Sequence, residues 1–161
     1  MTTSNIFVKI QAEKFKIGDV IESLIDNESK KKEVGAIATF FGRVREKDNS
    51  KIISDLCLNH YPGMTEKKIG EIVNKACKRW SIRGCSVIHR VGTMKPGELI
   101  VFVGVTSSHR KEAFNACEYI MDFLKTEAPF WKKEISQDGE RWIESRQADY
   151  LAAEEWSSKP T

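Results

Sequence analysis

The chain has 161 residues, 40% of them hydrophobic, with 10 glycines. That length suits one domain over residues 1–161, and the composition is globular, which excludes disordered, collagen-like and coiled-coil readings. With 26 Lys and Arg against 23 Asp and Glu the net charge is +3, too mild for a whole-surface nucleic-acid binder, while a local site for an anion stays open.

No apolar run approaches the ~20 residues that span a bilayer, and the start MTTSNIFVKIQAEKFK lacks a signal-peptide core. The expected setting is the cytoplasm, with no membrane and no nucleic acid as partner. Cys57, Cys77, Cys85 and Cys117 form no C-x-x-C, and His60, His89 and His109 lie far from them in sequence. Reduced, buried thiols and no metal site are expected.

Residues 5–11 read as a short strand. Ile17, Val20, Ile21, Leu24 and Ile25 follow at helical spacing. NESKKKE is a charged loop, and the apolar, β-branched run from Val34 is a buried strand ending at Gly42, Arg43, Val44 and Arg45. The polar stretch EKDNS reads as a loop before a second strand, KIISDLCLNH. Pro62 and Gly63 open a helix whose apolar face is Ile69, Ile72, Val73, Ala76, Cys77 and Trp80.

CSVIHRVG and ELIVFVGVTS flank the Pro96-Gly97 turn as an antiparallel hairpin. Thr106, Ser107 and Ser108 offer cap hydroxyls to a helix carrying Phe114, Cys117, Ile120, Met121 and Leu124 on one face. Pro129 ends that helix near Lys125 to Glu127. FWKKEI and RWIE flank the Asp138-Gly139 turn, and QADYLAAEEW forms a last short helix. The order βαββαββαββα predicts an α+β fold with mostly antiparallel strands.

No P-loop, G-x-S-x-G, H-E-x-x-H or G-x-G-x-x-G is present. Cationic residues instead gather at the ends of apolar elements: Arg43 and Arg45 after a strand, His109 and Arg110 at a helix start, Lys125 at its end, and Lys132 and Lys133 after Pro129-Phe130-Trp131. A helix start with an arginine beside it suits phosphate. Two lysines across a tight turn can share a pocket and depress one another's protonation. Each position also has a plainer reading. Lys125 complements a helix dipole, Lys132 and Lys133 are solvated strand residues, and His109 is only a helix-start residue. Arg43 and Arg45 form a strand's solvent face, His89 is structural, and Phe40 and Met121 are core.

Six strings go further: GAIATFFGRVR at 35–45, LNHYPGMTEK at 58–67, VIHRVGTMKPGE at 87–98, VFVGVTSSHRKEAF at 101–114, IMDFLKTEAPFWKKE at 120–134 and RWIESR at 141–146. With them the chain resembles the large, catalytic subunits of molybdopterin synthases. Residues 1–33 and the tail after 146 carry little of the resemblance.

It implies an α/β-hammerhead-type α+β fold and a homodimer. Each copy would bind one small ubiquitin-like sulfur-carrier subunit. The carrier's C-terminal thiocarboxylate would give sulfur to cyclic pyranopterin monophosphate and build the dithiolene of molybdopterin, with no cofactor on this subunit. It implies catalytic roles for Lys125 and Lys132. Arg45, His109 and Arg110 would bind substrate, as would Arg146 reaching in from the opposite protomer. Arg43, Lys133 and Glu134 lie within the same strings, and Phe40 and Met121 match pocket-lining positions. Two other readings stand beside it: a non-catalytic binding module using Arg43, Arg45 and Lys30 to Lys32, and a dimer that scaffolds the carrier without catalysis.

Overall fold

The segments IRGCSVIHR and LIVFVGVTS are buried along nearly their whole length. A strand buried on both faces reads as a continuous apolar run, and other elements must cover it twice. A computed structural model describes residues 5–26, 31–48 and 50–160. The elements in chain order are β1 (Asn5–Gln11), α1 (Ile17–Asp26), β2 (Ala36–Arg43), β3 (Lys47–Asp48), β4 (Lys51–His60), α2 (Met64–Arg79), β5 (Ile82–Arg90), β6 (Gly92–Met94), β7 (Leu99–Ser107), α3 (Arg110–Thr126), β8 (Phe130–Ser136), β9 (Gly139–Ile143) and α4 (Gln147–Glu155). A single 3-10 turn, Lys31–Glu33, precedes β2. Residues 27–30 of the expected charged loop lie outside the described residues.

One sheet has the order β1-β5-β7-β2, and only its β1–β5 pair is parallel. Helices α2 and α3 pack on one face through Ile69, Ile72, Val73, Ala76, Ala116, Ile120 and Leu124. Helix α1 covers the other face, where Val20 and Leu24 meet Ile88 and Phe102. The second sheet has the order β3-β4-β8-β9, with β6 also paired to β4. A third cluster, Val44, Leu56, Leu58 and Met94, lies beneath it. The architecture is α+β and mostly antiparallel, as expected from the element order. Among the described residues no helix is long and apolar enough to cross a membrane.

Two short strands depart from the sequence reading. β3 lies in the stretch read as a loop, and β6 interrupts the β5–β7 hairpin. Gly92, at φ 87°, turns the chain out of the first sheet. Met94 then enters the third cluster fully buried. The cap of α3 also differs. His109 holds that position without a side-chain cap, and the Ser107 hydroxyl accepts the His109 N–H at 3.4 Å.

Two contacts tie the parts together. The His89 ring of β5 stacks on Phe130 of β8, with centroids 4.1 Å apart, joining the two sheets. At the other end, the Arg79 guanidinium lies over Trp80 at 5.0 Å and Trp156 at 5.6 Å, and the Trp156 indole donates to Asp122 at 2.7 Å. That cluster docks α4 against α3.

His89 donates from Nδ1 to the Arg90 carbonyl at 2.9 Å, and burial pushes its pKa down to about 4. The unfolded imidazole takes up a proton near pH 6.5, the folded one only near 4. The unfolded state therefore binds more protons inside that window, and stability falls as pH drops through it. The loss by pH 4 is about 3 kcal/mol. Denaturant unfolding at pH 7 and pH 4, compared with His89→Leu, isolates it: the variant lacks this part of the pH dependence.

Candidate functional site

Side chains of β8 alternate across the second sheet, and directly opposite residues share a face. Lys132 lies opposite Leu58 and Ile143, and Glu134 lies opposite Leu56 and Arg141. These side chains sit on the inner side, over the third cluster. Lys133 faces the other way, between Cys57 and Trp142. Its ammonium pairs with Glu140 at 2.9 Å and lies 5.6 Å from the Trp142 ring centre. Lys132 and Lys133, adjacent in sequence, thus serve opposite faces.

Lys125 occupies the last turn of α3 and Pro129 follows it, so the chain reverses directly into β8. The Lys125 ammonium lies 3.5 Å from an Asp149 carboxylate oxygen of α4. The Ser145 hydroxyl donates to the Lys125 carbonyl at 2.6 Å, fixing the helix end to the segment before α4. Asp149 also accepts the Arg146 backbone N–H at 3.1 Å.

Arg146 and Arg45 converge on Asp48. Arg45 donates to Asp48 at 3.2 Å, and Arg146 hydrogen-bonds the same carboxylate oxygen. Arg141 reaches the other Asp48 oxygen at 3.7 Å while pairing with buried Glu134 at 2.8 Å. Five cations, Arg45, Lys125, Lys132, Arg141 and Arg146, therefore share one region with three carboxylates, Asp48, Glu134 and Asp149. The local balance is net +2.

Lys132 feels this most. Burial holds its pKa below the ordinary lysine value. The Lys125 charge presses it down further, as do Arg45 and Arg146, while Asp149 opposes them. A half-buried ammonium that holds its proton loosely, beside guanidiniums with donors to spare, can bind an anion and move a proton.

Other expected residues fall elsewhere. His109 and Arg110 are exposed at the start of α3, and its 17 residues put about 25 Å between them and Lys125. Within one chain they cannot join the lysines. Arg146, expected from an opposite protomer, lies in its own chain's cluster. Arg43 donates to the Gly97 carbonyl at 2.9 Å and steadies the Pro96-Gly97 turn. Met121 is half-buried one turn before Lys125 on α3. Phe40 lies on the helix-facing side of edge strand β2 with Ala38, opposite Val103 of β7, and is 41% exposed. Lys30 lies outside the described residues. Sequence reasoning missed Asp48, Arg141 and Asp149. The i, i+3 spacing of Arg45 with Asp48 and of Arg146 with Asp149 was the only local signal.

A family model described as MoaE protein matches residues 10–127. The chain belongs to the MoaE protein family. It is 52% identical over 152 residues to the molybdopterin synthase catalytic subunit of Yersinia pestis, covering 94% of this chain and 98% of that one. The MoaE protein structure from Burkholderia ambifaria superposes with a TM-score of 0.79 at 40% identity, covering 96% of this chain and 99% of that one. The crystal structure of molybdopterin synthase from Staphylococcus aureus gives 0.75 at 32%, covering 83% and 94%. The family match runs from the last residues of β1 to just past the end of α3. The Yersinia and Burkholderia alignments are long enough to take in most of the MoaE chain's β8–β9 hairpin as well.

Lys125→Met removes the like charge that acts most strongly on Lys132, so the Lys132 pKa rises while burial keeps it below the free-lysine value. The pH dependence of Lys132 acylation, read by mass spectrometry, shifts to higher pH. An unmoved profile would show that the two ammoniums do not sense one another.

Proposed function

We propose that this chain is the catalytic subunit of a molybdopterin synthase, and that sulfur transfer takes place at the Lys125–Lys132 cluster. The carrying observation is Lys132: a half-buried ammonium in a field of cations. The sulfur donor is a thiocarboxylate at the end of a small ubiquitin-like carrier, and the acceptor, cyclic pyranopterin monophosphate, bears a phosphate. Two anions held together need fixed positive charge to offset their repulsion, and a site of net +2 supplies it.

Lys125 is the leading catalytic residue, orienting the thiocarboxylate against the pterin. Lys132 stabilises the negative charge that develops. Arg45 and Arg146 hold the phosphate. Met121 and Phe40 are assigned to the apolar lining of the pocket, and Glu134 orders Arg141. Lys133, on the other face of β8, is left to contacts outside the pocket. The transferred sulfur arrives on the carrier, so no thiol of this chain needs to be a nucleophile. Burial pushes the Cys117 thiol up to about 11 and Cys85 well above its ordinary value, which keeps both in the unreactive form. The setting is the cytoplasm.

His109 and Arg110 reach this site only from a second copy of the chain. The working form is accordingly a homodimer, with one carrier bound to each copy. Arg146 acts in its own chain's pocket, and His109 and Arg110 complete the partner's.

Mixing the protein with thiocarboxylated carrier and the cyclic pterin, then assaying for dithiolene, tests the reading. Lys125→Ala keeps the fold and loses nearly all transfer; near-normal turnover would remove Lys125 from the mechanism. Subunit exchange tests the two-chain site. Arg110→Ala mixed with Lys125→Ala regenerates one intact pocket per mixed dimer, about a quarter of all pockets if half the dimers are mixed. Arg146→Ala mixed with Lys125→Ala regenerates none. The reverse pattern would put Arg146 across the interface.

A further inference from the structure

Asp48 is 7% exposed, and three guanidiniums end on it: Arg45 and Arg146 on one oxygen, Arg141 on the other. These arginines come from three separate places, the end of β2, strand β9 and the start of α4. Their own side chains stay about half exposed or more, at 64%, 48% and 52%. Each guanidinium has five N–H donors; Arg45 and Arg146 each spend one on Asp48, and Arg141 spends one on Glu134 while lying within ion-pair range of Asp48. With side chains this exposed, other donors stay open to a ligand.

We propose that Asp48 is the positioning residue of the anion site: a buried carboxylate that gathers Arg45, Arg141 and Arg146 before substrate arrives and leaves most of their donors free for its phosphate. Without a tether, three like charges on long side chains repel and spread over many rotamers. Binding would then have to supply the ordering. Strand β3 exists to place this carboxylate. It is two residues long, pairs with Lys51 and Ile52 of β4, and buries Asp48 while leaving Lys47 exposed. Arg141, which the resemblance did not assign, becomes a substrate-binding residue by the same geometry.

The proposal rests on the anion-binding role given above to Arg45 and Arg146. It has a sign that a simple charge argument lacks. Neutralising Asp48 raises the local balance from +2 to +3. Coulomb attraction alone then predicts tighter binding of an anion. A tether predicts weaker binding, because the donors lose their common aim.

Asp48→Asn is read in two ways: inorganic phosphate binding to the intact protein by phosphorus NMR at fixed ionic strength, and steady-state sulfur transfer. The tether predicts about tenfold weaker phosphate binding and a KM for the cyclic pterin raised to match, with kcat changed far less. Asp48→Glu, which keeps the charge, recovers most of the affinity. If Asp48→Asn does not fold, Asp48→Ser frees the same guanidiniums and carries the test. Phosphate binding as tight as in the wild type, or tighter, overturns the proposal, as does an unchanged KM. If phosphate binding depends on Asp48 while the wild type makes no dithiolene, the tether stands and the sulfur-transfer reading falls. If dithiolene forms with KM unmoved in the variant, the reverse holds.

Discussion

Half-burying an ammonium beside other cations costs free energy, and the fold around Lys132 is built to bear that cost. Desolvation and the charges of Lys125, Arg45 and Arg146 all act against its proton. An uncompensated arrangement of this kind would open the second sheet to water or neutralise the lysine outright. Asp149 stands against Lys125, Asp48 against Arg45 and Arg146, and Asp48 and Glu134 share Arg141, so the cluster remains positive without being unsupported. The residual charge is what the proposed anionic substrate would meet.

The three carboxylates arrive by different structural routes. Glu134 follows directly from strand alternation, two residues beyond Lys132 on the same face. Asp48 depends on the small β3 hairpin. Asp149 depends on α4, and α4 depends on the Arg79, Trp80 and Trp156 cluster at the far side of α3. The C-terminal helix has almost no core of its own, since Ala153 is its only buried residue. Its position is set by an aromatic contact just past its end, and through it by α2 and α3. Packing remote from the pocket thus decides where a counter-charge sits inside it.

Much of this was legible from residue order, and the boundary is physical. Helices α1, α2 and α3 and the main strands declare themselves by periodicity, because burial on one face leaves a repeat in the sequence. The lysine pair was legible because Pro129 forces a reversal between them. β3 and β6 were not, since two or three residues carry no period. The convergence on Asp48 was illegible for a different reason. Arg141 and Arg146 lie 93 and 98 positions away from it, and no local pattern encodes a contact of that range. Lys133 misled because adjacency in a strand places side chains on opposite faces, so a basic pair in sequence is not a basic pair in space.

The length of α3 constrains how its two basic ends can serve one site. A helix is a rigid spacer of about 1.5 Å per residue, and this one separates His109 and Arg110 from Lys125 by its full extent. No loop movement within one chain closes that gap while Ala113, Ala116, Ile120 and Leu124 stay buried against the first sheet. If all the basic residues of the six strings serve one substrate, a two-fold axis must bring the start of one α3 to the end of another. Such an axis makes two equivalent pockets, each drawing on both chains. Arg146 then needs no partner to reach the lysines, because Asp48 and the α4 N-terminus already hold it there. In the proposed dimer its own chain would supply the tethered half of the pocket, and the second chain the half that the α3 N-terminus presents.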